Sequence, residues 1–189
     1  MKGKGKSWMG GILTVAFWML TGGCDGLGGP DLKGDIVLSS QLFGSTSYYL
    51  FGYSYEDSEF YKFQYAGEPI PDIINEGSLG YEGTELISRP LFTTPGDANG
   101  FALVGNFETL TEARDFYKSY NKVEEGLQFE LQTSIIELYQ VWVQKTSAGN
   151  YVKILVKEIT NFSAESGKPY NEVSIEYTYQ PDGSTSFPK

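Results

Sequence analysis

The chain has 189 residues, 24 acidic against 14 basic, and a formal charge of −10. With no histidine and one cysteine, it can form no Ser-His-Asp or Cys-His site, no histidine or four-cysteine zinc site and no internal disulfide. A hydrophobic share of 40% with 20% charged residues suits one folded domain plus a targeting segment, not a disordered chain.

The first segment reads as an export signal. Lys2, Lys4 and Lys6 form a positive start without an acid, and residues 12–20 (ILTVAFWML) are a nine-residue apolar run. Nine residues are about half of what a permanent helix needs to cross a ~30 Å hydrocarbon core, so the segment is expected to be cleaved. Small residues follow, Thr21, Gly22 and Gly23, and then the lone Cys24. Residues 1–23 are therefore expected to be a signal peptide. Residues 24–34, rich in glycine, read as a flexible tether, and 35–189 as the domain. After cleavage 11 basic residues face 24 acidic ones, a net charge of −13. So acidic a body repels phosphate backbones, and no nucleic-acid partner is expected.

In the domain, residues 35–40, 48–55, 60–65 and 100–104 read as strands, with Pro69, Pro71, Pro90 and Pro95 marking loops. Thr109 and Glu112 fit a capping box that opens a helix. Leu110, Ala113, Phe116, Tyr117 and Tyr120 recur at helical spacing, and the helix is expected to end within 121–126. Residues 135–146 (IIELYQVWVQKT) read as a long strand, followed by a turn containing Gly149. Residues 151–160 form the next, with Val152, Ile154 and Val156 on one face and Lys153, Leu155 and Lys157 on the other. In residues 172–180, Val173, Ile175, Tyr177 and Tyr179 alternate with Glu172, Ser174, Glu176 and Thr178, which predicts one buried and one wet face. The expected fold class is mainly β: an antiparallel β-sandwich-like domain with one or two short helices.

Two stretches resemble known families. Residues 20–24 (LTGGC) resemble the lipobox of bacterial lipoproteins, although Thr21 stands where leucine is usual. That resemblance implies cleavage before Cys24 and acylation of its thiol. At ~0.8 kcal/mol per buried methylene, two or three acyl chains would hold the protein on a membrane almost permanently. Residues 141–146 (VWVQKT), 149–154 (GNYVKI) and 175–184 (IEYTYQPDGS) resemble the C-terminal strands of the HmuY-like family of Bacteroidota lipoproteins. More weakly, Pro71-Asp72-Ile73-Ile74 sits where that family has an Asp-Ile strand element. The resemblance implies a compact, lipid-anchored β domain, and the best-known members bind haem. Those members use histidine or methionine ligands, which the mature chain lacks; haem here would need tyrosine.

Few residues point to chemistry. Tyr49, Phe51, Tyr53 and Tyr55 share one strand face, either as a ligand platform for a sugar ring, flat cofactor or peptide, or as the core side of a sandwich strand. Glu56, Asp57 and Glu59, and the pair Glu124 and Glu125, could bind calcium or serve a carboxylate-only glycosidase, or be solvated charge. Residues 94–100 only faintly resemble a calcium turn. Lys145 and Lys153 could steer an anion, or be solubilising lysines on an acidic surface. The expectation is a non-enzymatic binding or assembly module without a cofactor. It is expected on the cell envelope, at the outer membrane, with a small molecule, glycan or envelope protein as partner. The alternatives are tyrosine-ligated haem capture and a glycan-acting enzyme.

Overall fold

The computed structural model of the chain describes residues 29–64, 66–95 and 100–188. The signal segment, Cys24, most of the tether and residues 96–99 of the calcium-like turn lie outside the described residues. The strands are β1 (Lys33–Ser39), β2 (Leu50–Ser54), β3 (Glu59–Phe63), β4 (Ile73–Asn75), β5 (Ser78–Glu82), β6 (Glu85–Arg89), β7 (Phe92–Thr93) and β8 (Phe101–Gly105). Helix α1 (Leu110–Ser119) precedes β9 (Val141–Lys145), β10 (Tyr151–Ser163) and β11 (Pro169–Gln180). All strand pairs are antiparallel, and the domain is the expected β-sandwich with a short helix.

The main sheet has the order β1-β11-β10-β9-β8, so β9, β10 and β11 form the expected meander. A second sheet, β3-β2-β4-β7, covers one of its faces, and β5-β6 stands apart as a hairpin. Between the two sheets lies the principal core. Val152, Ile154 and Val156 from β10, and Val173, Ile175, Tyr177 and Tyr179 from β11, meet Tyr53, Tyr55, Ile73 and Phe92 of the opposing sheet. The other face of the main sheet receives α1. Ala113 and Tyr117 pack on Val141 and Leu155, so the helical stripe is core packing. Thr109 caps α1 as expected: its hydroxyl accepts from the Glu112 N–H at 3.2 Å and donates to the Glu112 carboxylate at 2.8 Å.

Several expectations need correction. Strand β1 begins at Lys33, so the last two residues assigned to the tether belong to the sheet. The long strand over 135–146 is only Val141–Lys145. Before it, the Gln140 Oε1 accepts from the Glu137 N–H at 3.0 Å and the Trp142 Nε1–H at 3.1 Å, folding 137–140 into a turn. Ile136 instead enters the core, donating its N–H to the Pro90 carbonyl. The helix stops at Ser119 rather than beyond 121. Lys153 is the largest error. It is 4% exposed, not on a wet face. Both faces of β10 are covered because α1 and the C-terminal segment lie over the side that a free sheet would show to water.

Candidate functional site

Strand direction gives the sandwich two chemically different ends. Lys33 pairs with Thr178 and Ser39 with Glu172, so the chain enters at the Gln180 end of β11 and runs toward its Pro169 end. At ~3.3 Å per residue, β1 covers about 20 Å and β11 about 40 Å. The entry end carries an acid-lined concavity. Asp31, Glu56, Asp57 and Glu59 line one open concavity of about 370 Å³ beside Tyr61. Among the described residues no group of three or more His, Cys, Asp or Glu side chains is placed to hold a metal ion.

Asp72 stands behind this rim. Its carboxylate accepts the Tyr55 N–H at 2.9 Å and its backbone carbonyl accepts from the Gln144 Nε2–H at 2.6 Å. Burial pushes its pKa up to about 6; the Tyr55 hydrogen bond opposes this, while Glu56 and Asp57 add to it. The folded chain therefore holds a proton between pH 3.8 and 6 that the unfolded chain releases, so stability from this group falls as pH rises through that window and is flat above it. Asp72→Asn keeps an acceptor for Tyr55 and removes the charge. It is expected to stabilise by about 1–3 kcal/mol at pH 8 and to change little at pH 3.5. Thermal melts of both proteins at the two pH values check this; an equal effect at both would refute it.

The aromatic face of β2 divides in two. Tyr53 and Tyr55 are 4% and 0% exposed and belong to the core. The Tyr53 and Tyr177 hydroxyls hydrogen bond at 2.8 Å, and Tyr55 packs against Tyr177 and Tyr179 with ring centres 5.1 and 5.8 Å away. Neither can serve as a ligand platform, which corrects that expectation. Burial raises both phenol pKa values, Tyr55 strongly, the opposite of what a tyrosinate haem ligand needs. Tyr53 and Tyr55 thus do not fit a haem iron. Tyr49 and Phe51 are half-buried and form a surface cluster with Phe43, ring centres 5.3–5.9 Å apart, with the Lys62 ammonium 5.5 Å over the Tyr49 ring.

Other expected groups sit elsewhere. Glu124 and Glu125 share a concavity with Lys122, Lys145 and Tyr151, and the Lys145 ammonium lies 5.8 Å over the Tyr151 ring. Lys153 is buried and steers nothing. Its ammonium donates to the carbonyls of Tyr117 and Tyr120 at 2.6 and 2.8 Å. It also lies 4.4 and 5.2 Å from the ring centres of Tyr117 and Phe187.

The far end holds the feature that the sequence reading missed. A groove of about 370 Å³ runs between the β5-β6 hairpin and the β10-β11 turn, lined chiefly by Leu42, Leu79, Leu86, Pro169 and Tyr170, with Ser40 and Ser88 at its floor. Leu42, Leu79 and Leu86 are 53%, 65% and 41% exposed. Beneath the groove is a buried amide and hydroxyl network. Asn171 Nδ2–H donates to Ser88 Oγ at 2.8 Å, Asn75 Nδ2–H donates to Asn171 Oδ1 at 2.7 Å, and the Asn171 N–H donates to Ser40 Oγ at 2.9 Å. Gly77 has φ +67° and lies against this network; a Cβ there would stand 2.7 Å from Ser88 Oγ and 2.8 Å from Ser40 Cβ. The available signal was the two-residue spacing of Leu79 and Tyr81 before Gly83-Thr84, a hairpin pattern.

The chain matches no family model and no curated protein.

Proposed function

We propose that this protein is a lipoprotein of the bacterial cell envelope, held on the outer membrane through an acylated Cys24, and that its domain is a non-enzymatic binding or assembly module. The observation that carries the reading is the polarity of the sandwich. The chain enters at the end with the acid-lined concavity, and the groove opens at the other end of the sheet. An anchor at Cys24 then leaves the groove facing away from lipid, while Asp31, Glu56, Asp57 and Glu59 are repelled by an anionic bilayer and keep the domain upright. The lipobox-like residues 20–24 and the HmuY-like residues of β9 to β11 support the same assignment. No helix among the described residues is long and apolar enough to cross a membrane. The glycan-acting alternative has less support. Acids do gather in a concavity, but the acid with the raised pKa, Asp72, does not line it and is bonded to the Tyr55 N–H.

The test is growth of a bacterial host with an alkyne-bearing fatty acid. The protein is expected to take up the label, to begin at Cys24 and to sediment with membranes. Cys24→Ala is expected to abolish labelling. An unlabelled chain that keeps residues 1–23 and stays in the cytosol would overturn the proposal.

A further inference from the structure

We infer that the β5 edge and the groove beside it bind an extended peptide segment of another envelope protein, apolar with flanking basic residues, which adds as a strand to the hairpin. This deepens the assembly reading above and rests on it for the partner's location, but not for the binding itself.

The hairpin turn is Gly83-Thr84, closing on the pair Glu82 and Glu85. In an antiparallel ladder the hydrogen-bonded pairs alternate with non-bonded ones, and a two-residue turn makes the closing pair a bonded one. Tyr81 and Leu79, opposite Leu86 and Ser88, are therefore the residues whose N–H and C=O groups point outward from β5. The hairpin is a two-stranded sheet, so no third strand takes those groups among the described residues. One is satisfied by a side chain, since the Arg89 Nη2–H donates to the Tyr81 carbonyl at 3.1 Å. The rest form a template for an added strand.

The side chains agree with the backbone. Leu79, Tyr81, Leu86 and Ser88 share one face of the hairpin. Ser88 is seated in the buried network, whereas Leu79 and Tyr81 are 65% and 68% exposed. Alternate side chains of an added strand would lie in the groove against Leu42, Leu79 and Leu86. Charge selects the partner. Glu82 and Glu85 stand at the hairpin tip, Glu76 lines the groove and Glu165 lies in the facing turn, against Arg89 and Lys168. On a chain of net charge −10 this rim favours a basic peptide and disfavours a second copy, whose own acids would meet these.

The experiment is selection from a random peptide library on the full chain purified in detergent, followed by titration of the enriched peptides. Alternating apolar sequences with lysine or arginine are expected. Leu79→Pro removes one outward N–H without touching the β5-β6 ladder, and is expected to weaken binding about tenfold. Leu79→Val keeps the N–H and is expected to restore it. No enrichment, acidic or non-alternating peptides, or equal binding by the Leu79→Pro variant would overturn the inference. So would a concentration-dependent dimer that Leu79→Pro abolishes, since the occupant would then be a second copy. Cys24→Ala is expected to bind the same peptides, so a failed anchor and a failed groove are distinguishable.

Discussion

Replacing Lys153 with alanine is expected to destabilise the domain by about 3 kcal/mol. The substitution removes a buried aliphatic stem, two charge-assisted hydrogen bonds and the attraction of the ammonium to two aromatic rings. It also strips the C-terminus of α1 of the cation that meets its carbonyl dipoles. The Tyr117 and Tyr120 carbonyls would lose that donor, and Phe187 would lose its seat. The pH dependence is a second signature. Burial pushes the ammonium pKa from 10.5 down to about 8, with Lys33 adding to the effect and Glu176 opposing it. Between those values the unfolded chain holds more protons than the folded one, so the stability contributed by this residue rises with pH through the window. The neutral amine still donates to both carbonyls. Urea titrations of wild type and Lys153→Met at pH 7.5 and 9.5 check this, with the gap between them expected to widen at the higher pH. An alanine variant within 1 kcal/mol of wild type would show that the buried lysine contributes nothing net.

Asn171→Leu is the second large effect, expected at about 3 kcal/mol. Asn171 is fully buried and links Asn75 of β4, Ser88 of β6 and Ser40 at the end of β1. Leucine has similar bulk but takes one acceptor from the Asn75 amide and the donor from the Ser88 hydroxyl, leaving Asn75 on the Leu38 carbonyl and Ser88 on Ser40 Oγ at 3.4 Å. Because Ser88 is the hairpin's buried residue, the loss also loosens the wall of the groove, and hydrogen exchange across 78–89 is expected to speed up more than that of β10. Asn171→Asp separates charge from shape. At pH 8 a buried carboxylate is expected to cost as much as leucine does. At acid pH the protonated carboxyl regains a donor for Ser88 Oγ, and most of the stability is expected to return. If both variants were equally stable at pH 8 and pH 4, the network would be passive filler.

Much of the architecture was legible because it rests on local rules. Val173, Ile175, Tyr177 and Tyr179 alternate, and they face the core as alternation demands. Thr109 and Glu112 announce the helix start, and their side chains bond there. The readings failed where a distant element decided the outcome. Lys153 reads as a wet lysine until α1 and Phe187 are laid over it. Residues 135–140 have strand composition but do not pair as a strand: the Ile136 N–H donates to the Pro90 carbonyl, and the Gln140 Oε1 accepts the Glu137 N–H to fold 137–140 into a turn. Tyr49, Phe51, Tyr53 and Tyr55 follow one alternation, yet the opposing sheet buries only the last two. The groove was invisible because its walls come from residues near 40, 80 and 168, which no window along the chain contains.

By itself the amino-acid order determined the class of fold, the capped helix and the acidity of the chain. These depend on side-chain periodicity, backbone donors a few residues apart and net charge, all of which act locally or as sums. Only the tertiary structure decided which end carries the acid-lined concavity and which the groove, and which polar side chains are buried. Those outcomes depend on strand direction and on which faces are covered, and desolvation of a group is set by whatever lies above it rather than by its neighbours in the chain.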